Sequence, residues 1–347
     1  MNLARLVLAA AVLITGCASS APTPADSASP EASPDSCDIA SEPWVGDWLA
    51  AWEVTSDSLL GLRRDSAPEL LLYDESCVWT TSAVSAPGVP VTDGPPLFGR
   101  PLPWRSAPHG DTLTLPNSSE RPAALMAFTS SSDQGPYFVM AAPDVWKRSG
   151  NTSAVLGHGP FVTAVFLHEF SHSRHNAAFG AAMSPIGEAW AFPEPLSSDV
   201  AEERFGSDSA YVVAVEAERD ALRRAAAAET TPEARTLAAE ALRLRRARHA
   251  RWFTDDEAIF RGVDDLFTAT EGAAQWAAYA WLVSPRGADL APDIVLNEWG
   301  TRGGHVRTTG LALFRTVARL LPDWPELVFG DEVIGATELL EIAVEAQ

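Results

Sequence analysis

The stretch "GPFVTAVFLHEFSHSRHNAAFG", residues 159–180, decides how this chain is read. Pro160 stands where a first helical residue belongs, and Val162, Val165, Phe166 and Phe170 recur at helical spacing, so the segment is predicted to be a helix with one apolar face. His168 and His172 are one turn apart on such a helix and point the same way, so both imidazoles can reach one tetrahedral zinc ion. Glu169, directly after the first histidine, falls within reach of a metal-bound water and is the expected catalytic base. Two ordinary helix histidines would give the same spacing; a third protein ligand separates the two readings.

No third histidine follows at short spacing, since Asn176 and Phe179 occupy the positions that would carry on the pattern. His175 is expected to face solvent or to stand behind the ligands. An acid from a later helix is the better search, and Glu188, Glu216, Glu218 and Glu271 are the candidates. On a helix predicted for 209–228, Glu218 shares its face with Tyr211, Val215, Ala221, Leu222 and Ala225, whereas Glu216 lies with Arg219, Asp220 and Arg223. A carboxylate inside an apolar stripe is costly unless a cation meets it. Zinc would be such a cation, and Glu218 is therefore the expected third ligand; a buried ion pair with an arginine is the alternative. Metal-assisted hydrolysis follows, with Tyr279, His305 or Arg307 as the oxyanion partner.

Around this core the pattern changes along the chain. From Trp44 to about Gly150 short apolar runs alternate with turn signals, and "PELLLYDESCVWTTSAV" (68–84) and "PAALMAFTSSSDQGPYFVMAAP" (122–143) read as strands, the second as a hairpin turning near Gly135. Pro143 closes the later strand and suggests a sheet edge. After residue 159 the pattern is helical, with helices predicted for 209–228, 232–252 and 255–281 and two more in "GLALFRTVARLL" and "ATELLEIAV". Trp44, Trp48 and Trp52 share one side of a helix and are expected to pack in the core. Arg243, Arg245, Arg246, Arg248 and Arg251 are expected to form a solvated helix face paired with the chain's excess acid.

At the N-terminus, "MNLARLVLAAAVLITGC" has a basic residue, an apolar run too short to span a bilayer, and small residues before Cys17. It resembles a bacterial lipoprotein signal: residues 1–16 would be removed and Cys17 acylated. Residues 17–40, rich in Ser, Ala, Pro and Asp, are expected to tether the domain to the membrane. The chain would then be an exported lipoprotein on the outer face of the cytoplasmic membrane or in the outer membrane, touching lipid through its anchor only. Cys37 and Cys77 remain as an even pair and predict a disulfide. The formal net charge of −21, with Lys147 the only lysine, argues against nucleic-acid partners. The sequons at Asn117 and Asn151 are incidental in a bacterial lipoprotein.

The order "HEFSH", "AERDAL", "RLRRARHARW", "TEGAAQWAAY" and "RTTGLALFRTVARLLPDW" resembles a group of bacterial gluzincin-like metallopeptidases over about residues 160–325. Trp276 stands where that group usually has a tyrosine. The resemblance implies an α+β zincin-like fold, with a strand-rich part at 41–158 and a mostly helical part at 159–347. It also implies His168, His172 and Glu218 as zinc ligands, Glu169 as the catalytic carboxylate, Glu271 as a supporting active-site acid, and a peptide or protein substrate. A zincin-like binding lipoprotein without turnover is the rival reading, and the sequence is silent on oligomeric state.

Overall fold

A computed structural model describes residues 37–62, 67–189 and 197–346. The expected export signal, Cys17 and most of the expected tether lie outside the described residues. No helix among the described residues is long and apolar enough to cross a membrane. The architecture is α+β, with a small N-terminal sheet and a larger helical part.

The chain enters through a disulfide between Cys37 and Cys77, whose Cα atoms are 5.4 Å apart. Helix α1 (Pro43–Glu53) follows. Strands β1 (Glu69–Tyr73) and β2 (Cys77–Thr80) form a hairpin whose turn is fixed by Asp74, which accepts hydrogen bonds from the backbone N–H groups of Ser76 and Cys77. Strand β3 (Arg105–Pro108) adds to β2, while β4 (Thr112–Thr114) and β5 (Glu120–Pro122) make a separate ribbon. Strands β6 (Ala127–Ser132) and β7 (Gly135–Ala141) form the expected hairpin, turning through Gly135 at φ +125°. The five-stranded sheet has the order β3-β2-β1-β7-β6, with β7 parallel to β1 and the other pairs antiparallel.

One strand expectation is corrected. The strand before Pro143 is not an edge, because β7 lies between β1 and β6, and the edge belongs to β6. Pro143 instead opens helix α2 (Pro143–Arg148), where its missing N–H costs no ladder bond.

Helix α3 (His158–Ala189) carries the histidine motif and begins slightly before Pro160. Its aromatic side packs on α1 and the sheet: Phe166 stacks on Trp48 at 5.1 Å, and Phe170 meets Trp52 and Phe138 edge-on. Trp48 and Trp52 are thus core residues, and Trp44 half-covers Trp48. Helices α4 (Val200–Phe205), α5 (Ser209–Ala227), α6 (Thr231–Trp252), α7 (Phe260–Val283), α8 (Pro292–Glu298), α9 (His305–Leu320), α10 (Trp324–Val328) and α11 (Ala336–Glu345) complete the fold. Helix α7 is buried on nearly every side, between α3 and α9. At its crossing with α9, a Cβ on Gly272 would lie 2.7 Å from the Gly310 Cα, so only glycines permit this approach.

The helical part is also held by a buried ionic cluster. Arg245 and Arg248 of α6 grip both oxygens of Glu218 on α5, through Arg245 Nη1 at 2.7 Å and Arg248 Nε at 3.0 Å. The same two guanidinium groups hold both oxygens of Asp264 on α7 at 2.8–3.0 Å, and His249 Nε2 donates to Asp264 Oδ2 at 2.9 Å. Arg245 also reaches Asp265, which in turn accepts from the Thr337 hydroxyl of α11. The solvated arginine face is therefore corrected: Arg245 and Arg248 are buried, while Arg243 and Arg246 stay exposed and pair with Glu240 and Glu341. Helical periodicity turns the former pair toward α5 and α7.

Burial opposes ionisation of Asp264, but Arg248 and Arg245 outweigh it and hold the carboxyl well below its ordinary 3.8. Its folded value being depressed, the ionised group contributes stability that is fully present above pH 3.8 and lost as the pH falls further. Asp264→Asn should lower unfolding stability by about 3 kcal/mol near neutrality, with the gap to wild type closing only in more acid solution. Urea unfolding across a pH series measures it.

Candidate metal centre

The crossing of α3 and α7 brings His168, His172 and Glu271 together, with one ligand atom of each lying within 4.8 Å of the others. His168 Nε2 is 3.2 Å from Glu271 Oε2, and His172 Nε2 is 3.8 Å from Glu271 Oε1. The two imidazole rings are 5.1 Å apart and nearly perpendicular. Glu169 Oε1 lies 3.9 Å from His168 Nε2. The helix is pinned to the sheet at this point by Thr129 of β6, whose hydroxyl donates to the Glu169 carbonyl at 2.7 Å.

The Nε2 atoms of both histidines and Oε2 of Glu169 are buried without a hydrogen-bond partner. Buried polar atoms are normally paired. Burial holds the His168 imidazole below its ordinary value and pushes His172 down to about 4, so both rings are neutral at pH 7 and offer lone pairs. Burial also pushes Glu169 up, to about 8. For Glu271 burial acts in the same direction, but Arg307 and then the two imidazoles outweigh it and hold the carboxyl well below 4.5. Two neutral imidazoles and one carboxylate thus converge, and this group could hold a metal ion.

Arg307, on the first turn of α9, donates through Nε to Glu271 Oε2 at 2.9 Å. The Gly272–Gly310 contact makes this bond possible, since it brings the helix bearing Arg307 against the residue next to Glu271. Of the three oxyanion candidates, Arg307 is the one bonded to this group. His305 instead faces Glu202, and Tyr279 lies under Arg315. Asp199, which no sequence pattern marks, also feels Arg307; burial raises its carboxyl to about 6 despite that cation.

The predicted ligand Glu218 is corrected. It is buried as expected, but its cations are Arg245 and Arg248, and Glu271 takes its place beside His168 and His172. Glu216 is exposed and pairs with Arg219, and the side chain of Glu188 lies outside the described ones. Of the two positions expected for His175, solvent is ruled out: it is buried beside His172, with ring centroids 5.8 Å apart, and stacked on Phe329 at 4.5 Å. A second group, His249, Asp264 and Asp265, has metal-like spacing. There, however, both oxygens of Asp264 already meet guanidinium groups, whose charge would repel a metal ion.

No family model, curated protein or solved structure matches the chain.

The two buried acids predict opposite phenotypes. If this group holds a metal, Glu271→Gln should weaken its binding by more than about 100-fold, because it would remove a ligand rather than a supporting group. Glu218→Gln should leave metal affinity within about twofold of wild type while lowering stability by about 3 kcal/mol, as expected for a broken buried ion pair. Metal titration by calorimetry, alongside urea unfolding of the metal-free proteins, separates them.

Proposed function

We propose that this chain is a zinc-dependent hydrolase, and within that class a peptidase, held at the outer surface of the cell envelope by a lipid on Cys17. The domain would be zincin-like, with His168, His172 and Glu271 as the ligands. The observation that carries this reading is the convergence of two unpartnered imidazole nitrogens and a carboxylate beside a third acid, Glu169. Two nitrogens and one oxygen suit zinc in a tetrahedral site with one position left for water. Zinc bound there would act as a Lewis acid and bring the pKa of a bound water to about 7.

The remaining roles belong to the chain's own residues. Glu169 would accept the water's proton and return it to the leaving nitrogen. Its burial suits that role, because a carboxyl whose proton affinity lies near neutrality both takes and gives a proton at little cost. Arg307 keeps Glu271 ionised and so keeps it a ligand. Strand β6, at the end of the sheet order, runs beside the histidine helix, tied to it by Thr129 and by Asn176, whose amide donates to the Ser131 hydroxyl at 2.8 Å.

The test uses zinc-loaded wild type and Glu169→Gln on a mixed peptide library read by mass spectrometry. Wild type should cleave. The variant should keep its zinc and lose about 10²–10⁴-fold in rate, the usual contribution of a positioned acid–base group. Zinc retention without cleavage by wild type would replace this reading with that of a non-catalytic binding lipoprotein.

A further inference from the structure

Next to the candidate ligands lies a small cavity that the proposed chemistry does not use. It is lined by His172, His175 and Glu271 together with Phe179 and Phe267, opens to the surface, and has about 30 Å³ of room for water-sized groups. Thr129 and Thr270 also face it, but their hydroxyl hydrogens are already given to the carbonyls of Glu169 and Leu266. Asn176, at its rim, donates to Ser131.

His175 differs from these neighbours. It is one turn beyond His172 on α3, its side chain is 2% exposed, and neither of its ring nitrogens has a hydrogen-bond partner. One face of the ring is fixed by stacking on Phe329, so the imidazole is held in place rather than free to seek a partner. A buried imidazole offers one donor and one acceptor, and leaving both unpaired is costly. At roughly 10–15 Å³ for each water-sized occupant, the cavity admits about two heavy atoms.

We propose that this cavity is a specificity pocket for a side chain of two heavy atoms ending in a hydroxyl, that of serine, adjoining the bond to be cleaved, with His175 as its hydrogen-bond partner. The inference rests on the hydrolase reading and narrows its substrate class. A methyl group would enter but leave His175 unpaired. An isobutyl group would not fit without displacing Phe179 or Phe267.

The test reads binding rather than turnover. Zinc-loaded wild type, His175→Phe and His175→Ala are titrated with the N-acetyl hydroxamates of serine, alanine and leucine, which bind through the metal. Wild type should bind the serine compound about tenfold more tightly than the alanine compound, the scale of one buried hydrogen bond, and the leucine compound more weakly still. His175→Phe keeps the stack on Phe329 but removes the nitrogens, and should abolish the serine advantage. His175→Ala enlarges the cavity and should improve leucine binding relative to serine. Equal binding of serine and leucine compounds by wild type, or a serine advantage that survives in His175→Phe, overturns the pocket alone. Failure of every hydroxamate to bind zinc-loaded wild type overturns the metal-hydrolase reading and the pocket with it.

Discussion

An ionised carboxylate buried against two neutral imidazoles is the constraint on which the centre of this structure depends. Removing such a charge from water costs several kcal/mol, and the imidazoles beside it return only part of that. Glu271 has one cation, Arg307, on one of its oxygens, and together with the two imidazoles it keeps the carboxyl ionised. Its other oxygen faces His172 Nε2, while His168 Nε2 lies beside the oxygen that Arg307 holds. A further positive charge among them would meet the carboxylate and a lone pair of each imidazole at once.

The chain holds a second buried acid cluster, built on the opposite principle. Around Glu218 and Asp264 every carboxylate oxygen meets a guanidinium N–H, and the imidazole of His249 donates rather than waits for a donor. That cluster is electrostatically complete and ties four helices, α5, α6, α7 and α11, into one unit. Both clusters are anchored on α7, where Asp264 and Glu271 are separated by two helical turns. The completed cluster therefore fixes the rotation of α7 about its axis, and with it the direction in which Glu271 points.

Much of this is legible in the sequence. The spacing of His168 and His172 identifies the helix, and the alternation of apolar runs and turns locates the sheet and its hairpins. The apolar stripe around Glu218 correctly announces a buried acid that needs a cation. It does not say which cation, because the arginines that answer it lie on another helix and read, by composition, as a solvated face. Glu271 escapes as a ligand for the opposite reason. Helix α7 is buried almost all round, so no polar face exists against which an inward-pointing acid could stand out. His175 is hidden because its burial depends on Phe329, far along the chain.

The glycine following Glu271 links the two scales of the structure. A side chain at Gly272 would collide with the backbone of Gly310, and relief would require α7 and α9 to separate. Separation would draw Arg307 away from Glu271 before it disturbed either histidine, since the histidines are held by the aromatic contacts of α3 with α1 and the sheet. Glu271 would then be left buried with no permanent cation, and burial alone would drive it toward the protonated form, which donates rather than accepts. The close glycine crossing thus acts on the chemistry of the centre through a charge, and the packing of two helices sets whether the third ligand is a ligand at all.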